Sequence, residues 1–223
     1  MKVVVLTCDK YRWLVPIFFH FYRKYWPDNP YQVEVIAEHA DEYPEVPTYY
    51  TNGAKWSQGI IDYIKHFPPT DDKFLLTPED YILKSPVDTA RIKEAESLCS
   101  GNVGCVRLNE PDKYFAYTND IKGNEGFKSY PLDKPYSMSM QAAIWQKSFL
   151  LDVLRENEDA WEAELLGSKR LANMTHKWWV YWTKKAIWDY QAGGFMLRGR
   201  PRIEVVKWTV SNLIEEACRA GSK

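Results

Sequence analysis

The sequence lacks an excess of charge of one sign, and it lacks long hydrophobic runs. Lys and Arg number 29 and Asp and Glu number 30, which gives a formal net charge of -1 at pH 7. A nearly neutral chain has no general attraction to nucleic acid or to anionic lipid. Its apolar runs are much shorter than the ~20 residues that span a bilayer, and residues 1–7 do not resemble a signal peptide. We therefore expect a cytoplasmic protein with no transmembrane segment and no nucleic-acid partner.

Cysteine is scarce, and several well-defined catalytic motifs are missing. The four cysteines share no Cys-x-x-Cys spacing and have no histidine at the distance of a zinc site, so we expect reduced thiols. The sequence contains no Gly-x-Gly-x-x-Gly after a strand, no Walker loop, no Gly-x-Ser-x-Gly elbow and no His-Glu-x-x-His. These absences argue against Rossmann dehydrogenases, P-loop kinases, α/β-hydrolases and zinc proteases.

Aromatic residues are abundant, at 15% of the chain, with 10 Trp and 15 Tyr. Trp and Tyr combine a large apolar body with a polar group, and such residues often line sites for flat or sugar-like ligands. The same residues also build hydrophobic cores. From composition alone, an aromatic core explains most of them as well as a ligand site does.

The first half of the chain alternates between short apolar runs and amphipathic segments. Strands are predicted at residues 3–6, 32–37, 73–77, 103–108 and 137–145, and helices at residues 13–25, 56–64, 85–99, 149–155, 161–170 and 203–220. Ser85 is the predicted N-cap of the third helix, with Pro86 as its first residue. Residues 38–52 and 109–134 are predicted as loops, the second as a lid that orders when a ligand binds. The alternation favours an α/β sandwich with a mostly parallel sheet.

Two polar stretches follow predicted strands, where ligands of open parallel sheets bind. The first is residues 7–11, and the second contains the adjacent acids Glu79 and Asp80. Paired carboxylates on a constrained turn can hold Mg²⁺ or Mn²⁺ against a diphosphate, because these cations prefer carboxylate oxygen and share it with phosphates. An acidic turn that starts a helix is the structural alternative. Asp71 and Asp72 precede their strand, so we expect them in a solvated loop at the opposite edge.

Aromatic and polar residues near this edge suit a nucleotide. The candidates are Thr7, Cys8, Asp9, Tyr11, Lys55 and Trp56. Backbone groups after the first strand can pair with a nucleobase, while Tyr11 can stack on it and Asp9 can accept from the base or the ribose. Lys55 and Trp56 begin the next helix and add a cation and an indole. An ordinary turn capped by Asp9, with Trp56 in the core, is the alternative, and both interpretations stay open.

A second acidic stretch, residues 157–164, begins another predicted helix. Complementation of the helix dipole explains Glu158 and Asp159. Glu162 and Glu164 are two residues apart and therefore lie on different faces of the helix, so a catalytic role for one leaves the other free to face solvent.

Two later features also carry chemistry. His176 is a candidate third metal ligand, although a structural role beside Trp178 is favoured. Arg198, Arg200 and Arg202 form a basic run that suits either a solvated surface or a site for an anionic acceptor.

The order of these segments resembles that of small GT-A-type nucleotide-sugar glycosyltransferases of bacteria and viruses. The matching segments are residues 7–11, 26–28, 56–57, 79–80, 86–88, 139–145 and 160–168. The resemblance implies a GT-A-like, Rossmann-type sandwich with a mixed, mostly parallel sheet. It implies one domain over residues 1–223, with a nucleotide-binding part at about 1–108 and an acceptor and catalytic part at about 109–223.

The resemblance also implies a metal site. In this family an Asp-x-Asp triplet after the central strand holds the divalent ion that bridges the donor's diphosphate. Here the triplet is Pro78-Glu79-Asp80, in which Pro replaces the first Asp. Glu79 and Asp80 are therefore the expected ligands of Mn²⁺ or Mg²⁺.

The family pattern further implies catalytic and sugar-binding residues. Inverting members place the general base at the later acid of a Trp-x-x-Glu stretch, which makes Glu164 the first choice here and Glu162 the second. Gln141 and Trp145 are expected to line the sugar pocket with a hydrogen bond and a stacking face.

The sequence therefore predicts a hexosyltransferase-type glycosyltransferase that moves a sugar, with UDP-sugar as the favoured donor, to a glycan or a protein-linked acceptor. Two alternatives stay open. A non-catalytic carbohydrate-binding protein needs neither nucleotide nor metal, and a hydrolase of nucleotide-diphosphate sugars needs no acceptor. The sequence makes no prediction about oligomeric state.

Overall fold

A nine-stranded mixed sheet forms the centre of the computed structural model, which describes residues 1–39, 46–66, 72–109, 115–191 and 194–221. The strands are β1 (Lys2–Leu6), β2 (Gln32–Ala37), β3 (Thr48–Tyr50), β4 (Lys73–Pro78), β5 (Val103–Arg107), β6 (Asn119–Ile121), β7 (Asn124–Tyr130), β8 (Ala143–Gln146) and β9 (Trp179–Thr183). The helices are α1 (Val15–Tyr25), α2 (Trp56–His66), α3 (Thr89–Leu98), α4 (Lys147–Val153), α5 (Ala160–Leu171) and α6 (Ile203–Gly221). A separate hairpin pairs β10 (Met196–Leu197) with β11 (Arg200–Pro201).

The sheet has the strand order β3-β2-β1-β4-β8-β5-β9-β7-β6. β1, β2, β3 and β4 are parallel, whereas β8 runs antiparallel to its neighbours β4 and β5. β9 is parallel to β5 and antiparallel to β7. The carboxyl ends of β1, β4, β5 and β9 and the amino end of β8 therefore share one edge.

The core has two layers, one on each face of the sheet, and successive side chains of β1 point into them in turn. Val3 and Val5 face the layer that contains residues of α1 and α3, such as Phe18. Val4 faces the layer that contains residues of α2, α4 and α5, such as Phe149. Successive side chains of a strand point to opposite faces, so a continuous apolar strand with helices on both sides is buried on both faces.

The chain ends on helix α6, which packs outside these two layers. Its Val205 belongs to a third apolar cluster with Leu14, Phe21 and Phe195. This cluster ties α6 and the β10–β11 hairpin to the segment between β1 and α1. No helix in the described ranges is long and apolar enough to cross a membrane.

The predicted α/β sandwich with a mixed, mostly parallel sheet is confirmed. Strand β2 spans residues 32–37 as predicted, while α1 begins two residues later than predicted, after a turn of 3-10 helix at Arg12–Leu14. None of the four cysteines, which all lie in the described ranges, forms a disulfide. Asp71 lies outside the described residues, as do residues 40–45 and 110–114 of the two predicted loops.

The predicted start of α3 is wrong. Asp88 is the N-cap, because its carboxylate accepts hydrogen bonds from the backbone N–H groups of Ala90 and Arg91. An aspartate side chain satisfies the free N–H groups of a first turn, so Ser85 is not needed as a cap and Pro86 precedes the helix.

The predicted strand at residues 137–145 is too long at its start, since β8 begins at Ala143. The backbone of Ser137, Met138 and Met140 bonds to side chains. Ser137 O accepts from the guanidinium of Arg107, and Met140 N–H donates to the carboxylate of Glu164. Propensity alone does not reveal such partners.

The prediction of a loop that acts as a lid at residues 109–134 is wrong for residues 119–130, because β6 and β7 are strands of the main sheet. Phe127 and Tyr130 are buried there, and β6 pairs with β7 across a turn in which Gly123 has φ +79°. Strands β3 and β9 are also unpredicted. β3 has three residues and lies within a polar stretch, whereas the aromatic run Trp179–Thr183 carried a strand signal that the prediction missed.

A candidate active site at the carboxyl edge of the sheet

A cavity of about 310 Å³ opens at the carboxyl ends of β1 and β4. Its walls come from the segments after these two strands, the first residues of α2 and α5, and the segment before β8. The lining residues are Leu6, Thr7, Cys8, Tyr11, Trp56, Pro78, Glu79, Asp80, Tyr81, Met140, Ala160, Trp161 and Glu164. The predicted site residues that meet here are Thr7, Cys8, Tyr11, Trp56, Glu79, Asp80 and Glu164.

Glu79 lies at the end of the two central strands. β1 and β4 pair in register to Leu6 and Pro78, and the N–H of Glu79 continues the pairing by donating to Leu6 O at 3.1 Å. The side chain of Thr7 and the backbone of Cys8 bond to the carboxylate of Glu79, a residue that is 5% exposed. Burial, followed by the neighbouring charge of Asp80, raises the pKa of Glu79 to about 8.

Asp80 is held by the segment that leads into β10. Phe195 N–H donates to Asp80 O at 2.7 Å, and Met196 N–H donates to Asp80 Oδ2 at 3.3 Å. Burial raises the pKa of Asp80 to about 6, while the Met196 N–H acts in the opposite direction. Gly194 has φ +74°, and a Cβ there would clash with Asp80 Oδ2 and lie 2.8 Å from the Tyr81 ring. Sequence reasoning missed this contact, since no motif links Asp80 to residues more than 100 positions later.

Glu164 reaches the cavity from α5. Its Oε1 accepts from Met140 N–H at 2.7 Å and from Ser139 Oγ at 3.1 Å. Within the described ranges, Oε2 has no recorded donor. Burial raises the pKa of Glu164, while these hydrogen bonds and the charge of Arg107 act in the opposite direction. One oxygen is therefore fixed and the other is available to a ligand.

Arg107 stabilises the segment that holds Glu164. It is 1% exposed, and its guanidinium lies 5.2 Å from the ring centre of Tyr130 and 4.6 Å from that of Trp182. It donates to the carbonyl oxygens of Tyr136 and Ser137, and the chain reaches Ser139 and Met140, the two donors to Glu164, after one further residue. Arg107 therefore positions the backbone that orients this carboxylate, a role that sequence reasoning missed.

The walls combine three carboxylates with aromatic faces. Trp161 is 63% exposed at the start of α5, and Trp56 is half-buried at the start of α2. None of the lining residues identified in the described chain is Lys or Arg. Burial raises the pKa of Cys8 to about 11, so its thiol stays protonated at neutral pH.

The structure is similar to solved structures at low sequence identity. S. aureus TarS residues 1–349 match with a TM-score of 0.51 and 14% identity, over 82% of this chain and 60% of that one. A cytidylyltransferase from Leptospira borgpetersenii matches with a TM-score of 0.48 and 10% identity, over 95% of this chain and 94% of that one. The galactosyltransferase LgtC, in complex with donor and acceptor sugar analogs, matches with a TM-score of 0.43 and 9% identity. The match covers 66% of this chain and 58% of that one.

The chain has a GT-A-like fold. No family model matches the sequence, and no curated protein matches it significantly. The chain spans 60% of the length of TarS 1–349.

The GT-A-like fold implies a divalent cation, and the donor set beside β4 fits one in part. Glu79 and Asp80 are adjacent carboxylates on one cavity wall, and Mg²⁺ sites commonly use one or two carboxylates together with substrate phosphates. The described part of the chain contains no group of three His, Cys, Asp or Glu residues that could hold an ion alone. A cation here would therefore need oxygen atoms from a ligand.

His176 lies apart from this pair. It is exposed and precedes β9, whose first residue, Trp179, pairs with Val103 at the start of β5. The amino ends of β5 and β9 lie at the edge opposite Glu79 and Asp80. The structure therefore does not place His176 as a third ligand beside them.

Asp9, Lys55 and Glu162 contact other groups near the cavity and do not line it. His39 Nδ1 lies 2.7 Å from Asp9 Oδ2, and Lys55 Nζ donates to Asn157 O at 3.2 Å. Glu162 forms a capping box with the N-cap of α5, and its side chain reaches back to a backbone N–H in solvent.

Gln141 and Trp145 do not line the cavity either. Trp145 is 0% exposed inside β8, opposite Phe74 on β4, and packs against Phe149 in the core. Gln141 is half-buried just before β8. Because β8 starts at Ala143, its pleat directs Trp145 into the core layer below the cavity, which corrects the expectation that it stacks on a sugar.

Proposed function

We propose that the protein is a glycosyltransferase that moves a sugar from a nucleotide-sugar donor to a hydroxyl group of a glycan or protein-linked acceptor. A UDP-hexose is the first donor to test. The observation that carries the proposal is the meeting of three carboxylates, the buried Glu79 and the half-buried Asp80 and Glu164, in one cavity at the ligand edge of a GT-A-like sheet. In this arrangement Glu79 and Asp80 could hold a cation beside a charged leaving group, and Glu164 could accept a proton.

The segment after β1 supports binding of the nucleotide. Thr7 and Cys8 line the cavity at the end of a central strand, where their backbone groups could pair with a base. Tyr11 and Trp56 add aromatic rings at the same cavity, and a flat base stacks well on such rings. The donor's base would therefore lie beside β1 and its diphosphate toward β4.

Glu79 and Asp80 would hold Mn²⁺ or Mg²⁺, and the cation would supply positive charge to the departing diphosphate. Burial raises the pKa of both carboxyl groups, so both bind protons more readily than exposed acids do. They must release these protons to act as ligands, and ligand binding at this pair is therefore expected to strengthen as the pH rises.

Glu164 is the proposed general base. The acceptor hydroxyl would donate a hydrogen bond to Oε2, while Met140 and Ser139 hold Oε1. As the hydroxyl oxygen attacks the anomeric carbon, the bond from that carbon to the diphosphate oxygen breaks, and Glu164 takes the hydroxyl proton. The raised pKa makes this carboxylate a better proton acceptor, and attack from the opposite face inverts the configuration.

Two substitutions on one helix test this assignment. Glu164→Gln keeps the size of the side chain and removes the base, so we expect transfer to fall by roughly 10²–10⁴-fold while UDP affinity is retained. Glu162→Gln is the matched control, because Glu162 is exposed two residues away and does not line the cavity. The measurement is UDP release from UDP-glucose, UDP-galactose and UDP-N-acetylglucosamine, with and without a panel of oligosaccharides.

The same assay separates the alternatives. Wild-type transfer rates in Glu164→Gln would contradict the role of Glu164. UDP release that no acceptor accelerates would indicate a hydrolase of nucleotide-diphosphate sugars. Oligosaccharide binding without any nucleotide binding would indicate a carbohydrate-binding protein.

A further inference from the structure

The β10–β11 hairpin has an unusual turn beside the cavity. Leu197 pairs with Arg200, so Arg198 and Gly199 form a two-residue turn, with φ values of 50° and 79°. Two positive φ values define the type I′ turn, which strongly favours Asn-Gly. A long side chain such as Arg is disfavoured at its first position, because positive φ strains residues other than Gly and, to a lesser degree, Asn. The sequence therefore places a cation where the turn alone would prefer Asn.

This hairpin is fixed to the site. Phe195, directly before the hairpin, donates its N–H to the carbonyl oxygen of Asp80, and Met196, the first residue of β10, donates its N–H to the Asp80 carboxylate. Arg202 N–H donates to Phe195 O at 2.8 Å, which closes the hairpin at its base. Phe195 is 3% exposed and meets the ring of Trp13 edge-on at 5.8 Å. The turn is thus held at a defined place relative to the cavity.

Three exposed cations belong to or approach this turn, and we call them the cationic lip: Arg198 lies in the turn, Arg200 follows it, and Lys10 approaches Gly199. A Cβ on Gly199 would lie 3.2 Å from Lys10 Nζ and 3.7 Å from the hydroxyl oxygen of Tyr11. Lys10 Nζ lies 5.3 Å from the ring centre of Tyr11, which lines the cavity. Across the described residues, no carboxylate forms a recorded ion pair with any of the three cations.

Neighbouring cations without a counter-charge repel one another, and an anion bound between them relieves this repulsion. Phosphate suits the lip because guanidinium groups bind its oxygens through paired, charge-assisted hydrogen bonds. The adjacent cavity has carboxylates on its walls and no Lys or Arg among the lining residues identified in the described chain. A phosphate-bearing ligand at this cavity would therefore find its protein cations on the lip.

We propose that Lys10, Arg198 and Arg200 form a binding site for a phosphate group at the mouth of the cavity. The proposal rests on the proposed function in one respect, namely that a phosphate-bearing substrate enters this cavity. The phosphate comes either from the donor's diphosphate or from a phosphorylated acceptor. Both sources present the same oxygen atoms to the lip.

The test compares Arg198→Asn/Arg200→Gln with Lys93→Ala/Lys169→Ala. Each double variant removes two positive charges, and Lys93 and Lys169 are exposed on α3 and α5, outside the lip. Asn at position 198 suits the type I′ turn, so the lip variant keeps or gains thermal stability. Weaker binding by this variant therefore cannot be assigned to a disrupted hairpin.

Binding of inorganic pyrophosphate and of UDP is measured calorimetrically at low ionic strength without divalent cations. We expect pyrophosphate affinity to fall at least about tenfold in the lip variant, because two charge-assisted contacts are lost, and to stay near the wild-type value in the lysine variant. Equal pyrophosphate affinities in the lip variant and the wild type, or no pyrophosphate binding by the wild type, would overturn the proposal.

The UDP measurement then assigns the source. A parallel loss of UDP affinity indicates that the lip holds the donor's diphosphate, and unchanged UDP affinity with weakened pyrophosphate binding indicates a phosphorylated acceptor. The effect of Glu164→Gln on sugar transfer is measured separately and does not depend on these binding results. Failure of the lip is thereby distinguished from failure of the proposed function.

Discussion

Burial determines the chemistry of the individual carboxyl groups in the cavity. Glu79, Asp80 and Glu164 each have a raised pKa, and burial is the largest cause in all three. Glu162, only two residues from Glu164, forms the capping box of α5 with Asp159. The sequence predicts that these two residues face different ways, but which one faces the cavity depends on how α5 lies against the segment before β8.

The raised pKa of Glu79 predicts a pH dependence of stability. Its folded-state pKa of about 8 lies above the ordinary value of 4.5, so the folded protein binds this proton more tightly than the unfolded chain does. Stability from this group is present below pH 4.5 and is lost as the pH rises through about 8. Glu79→Gln cannot ionise, so its stability should fall less between pH 6 and pH 8.5.

The check is the thermal midpoint of unfolding in EDTA at both pH values. We expect wild type to lose on the order of 5 °C more than Glu79→Gln over this interval. The exposed Glu156 provides the control substitution Glu156→Gln, which should follow wild type. Equal losses in all three proteins would contradict a raised pKa at Glu79.

At the scale of elements, the site is assembled from segments that are distant in sequence. β1 and β4 present Glu79, α5 presents Glu164, and the start of β10 with the residue before it holds Asp80. The predictions succeeded for elements with local signals, such as β2 and the amphipathic α2. They missed β7, whose glycine and polar residues leave no continuous apolar run, and they missed β9 although its aromatic run carries a strand signal.

The contact between Gly194 and Asp80 can be tested with a matched glycine. Gly194 and Gly123 have φ values of 74° and 79°, so Ala strains both backbones alike. A Cβ on Gly123 meets nothing within 4 Å, whereas one on Gly194 would clash with the carboxylate of Asp80. We expect Gly123→Ala to lower stability by about 1 kcal/mol and to leave nucleotide binding unchanged. Gly194→Ala should be less stable and should weaken metal-dependent nucleotide binding.

Unfolding by urea and titration with UDP and Mn²⁺ measure both effects. If Gly194→Ala matches Gly123→Ala in both measurements, the close approach of Gly194 to Asp80 has no functional consequence.

At the scale of the whole molecule, one topological rule accounts for most of what the sequence could predict about the site. Ligands of parallel sheets bind at the carboxyl edge, and this rule selected Glu79 and Asp80 over Asp72 and placed Thr7 beside them. It could not exclude Trp145, whose position depends on where β8 begins, or His176, whose position depends on the unpredicted β9. It also could not reveal Arg107, because a buried arginine is recognisable only from its carbonyl and aromatic partners.

The central claim is that the cavity binds a nucleotide through its acidic pair, and calorimetric titration tests it most directly. UDP, GDP and dTDP are each titrated with and without Mn²⁺ into wild type and Asp80→Asn. The account predicts that wild type binds one nucleotide selectively, that Mn²⁺ strengthens this binding, and that Asp80→Asn loses the strengthening. Failure of all three nucleotides to bind, or equal affinity with and without Mn²⁺ in both proteins, would contradict the account of the acidic pair.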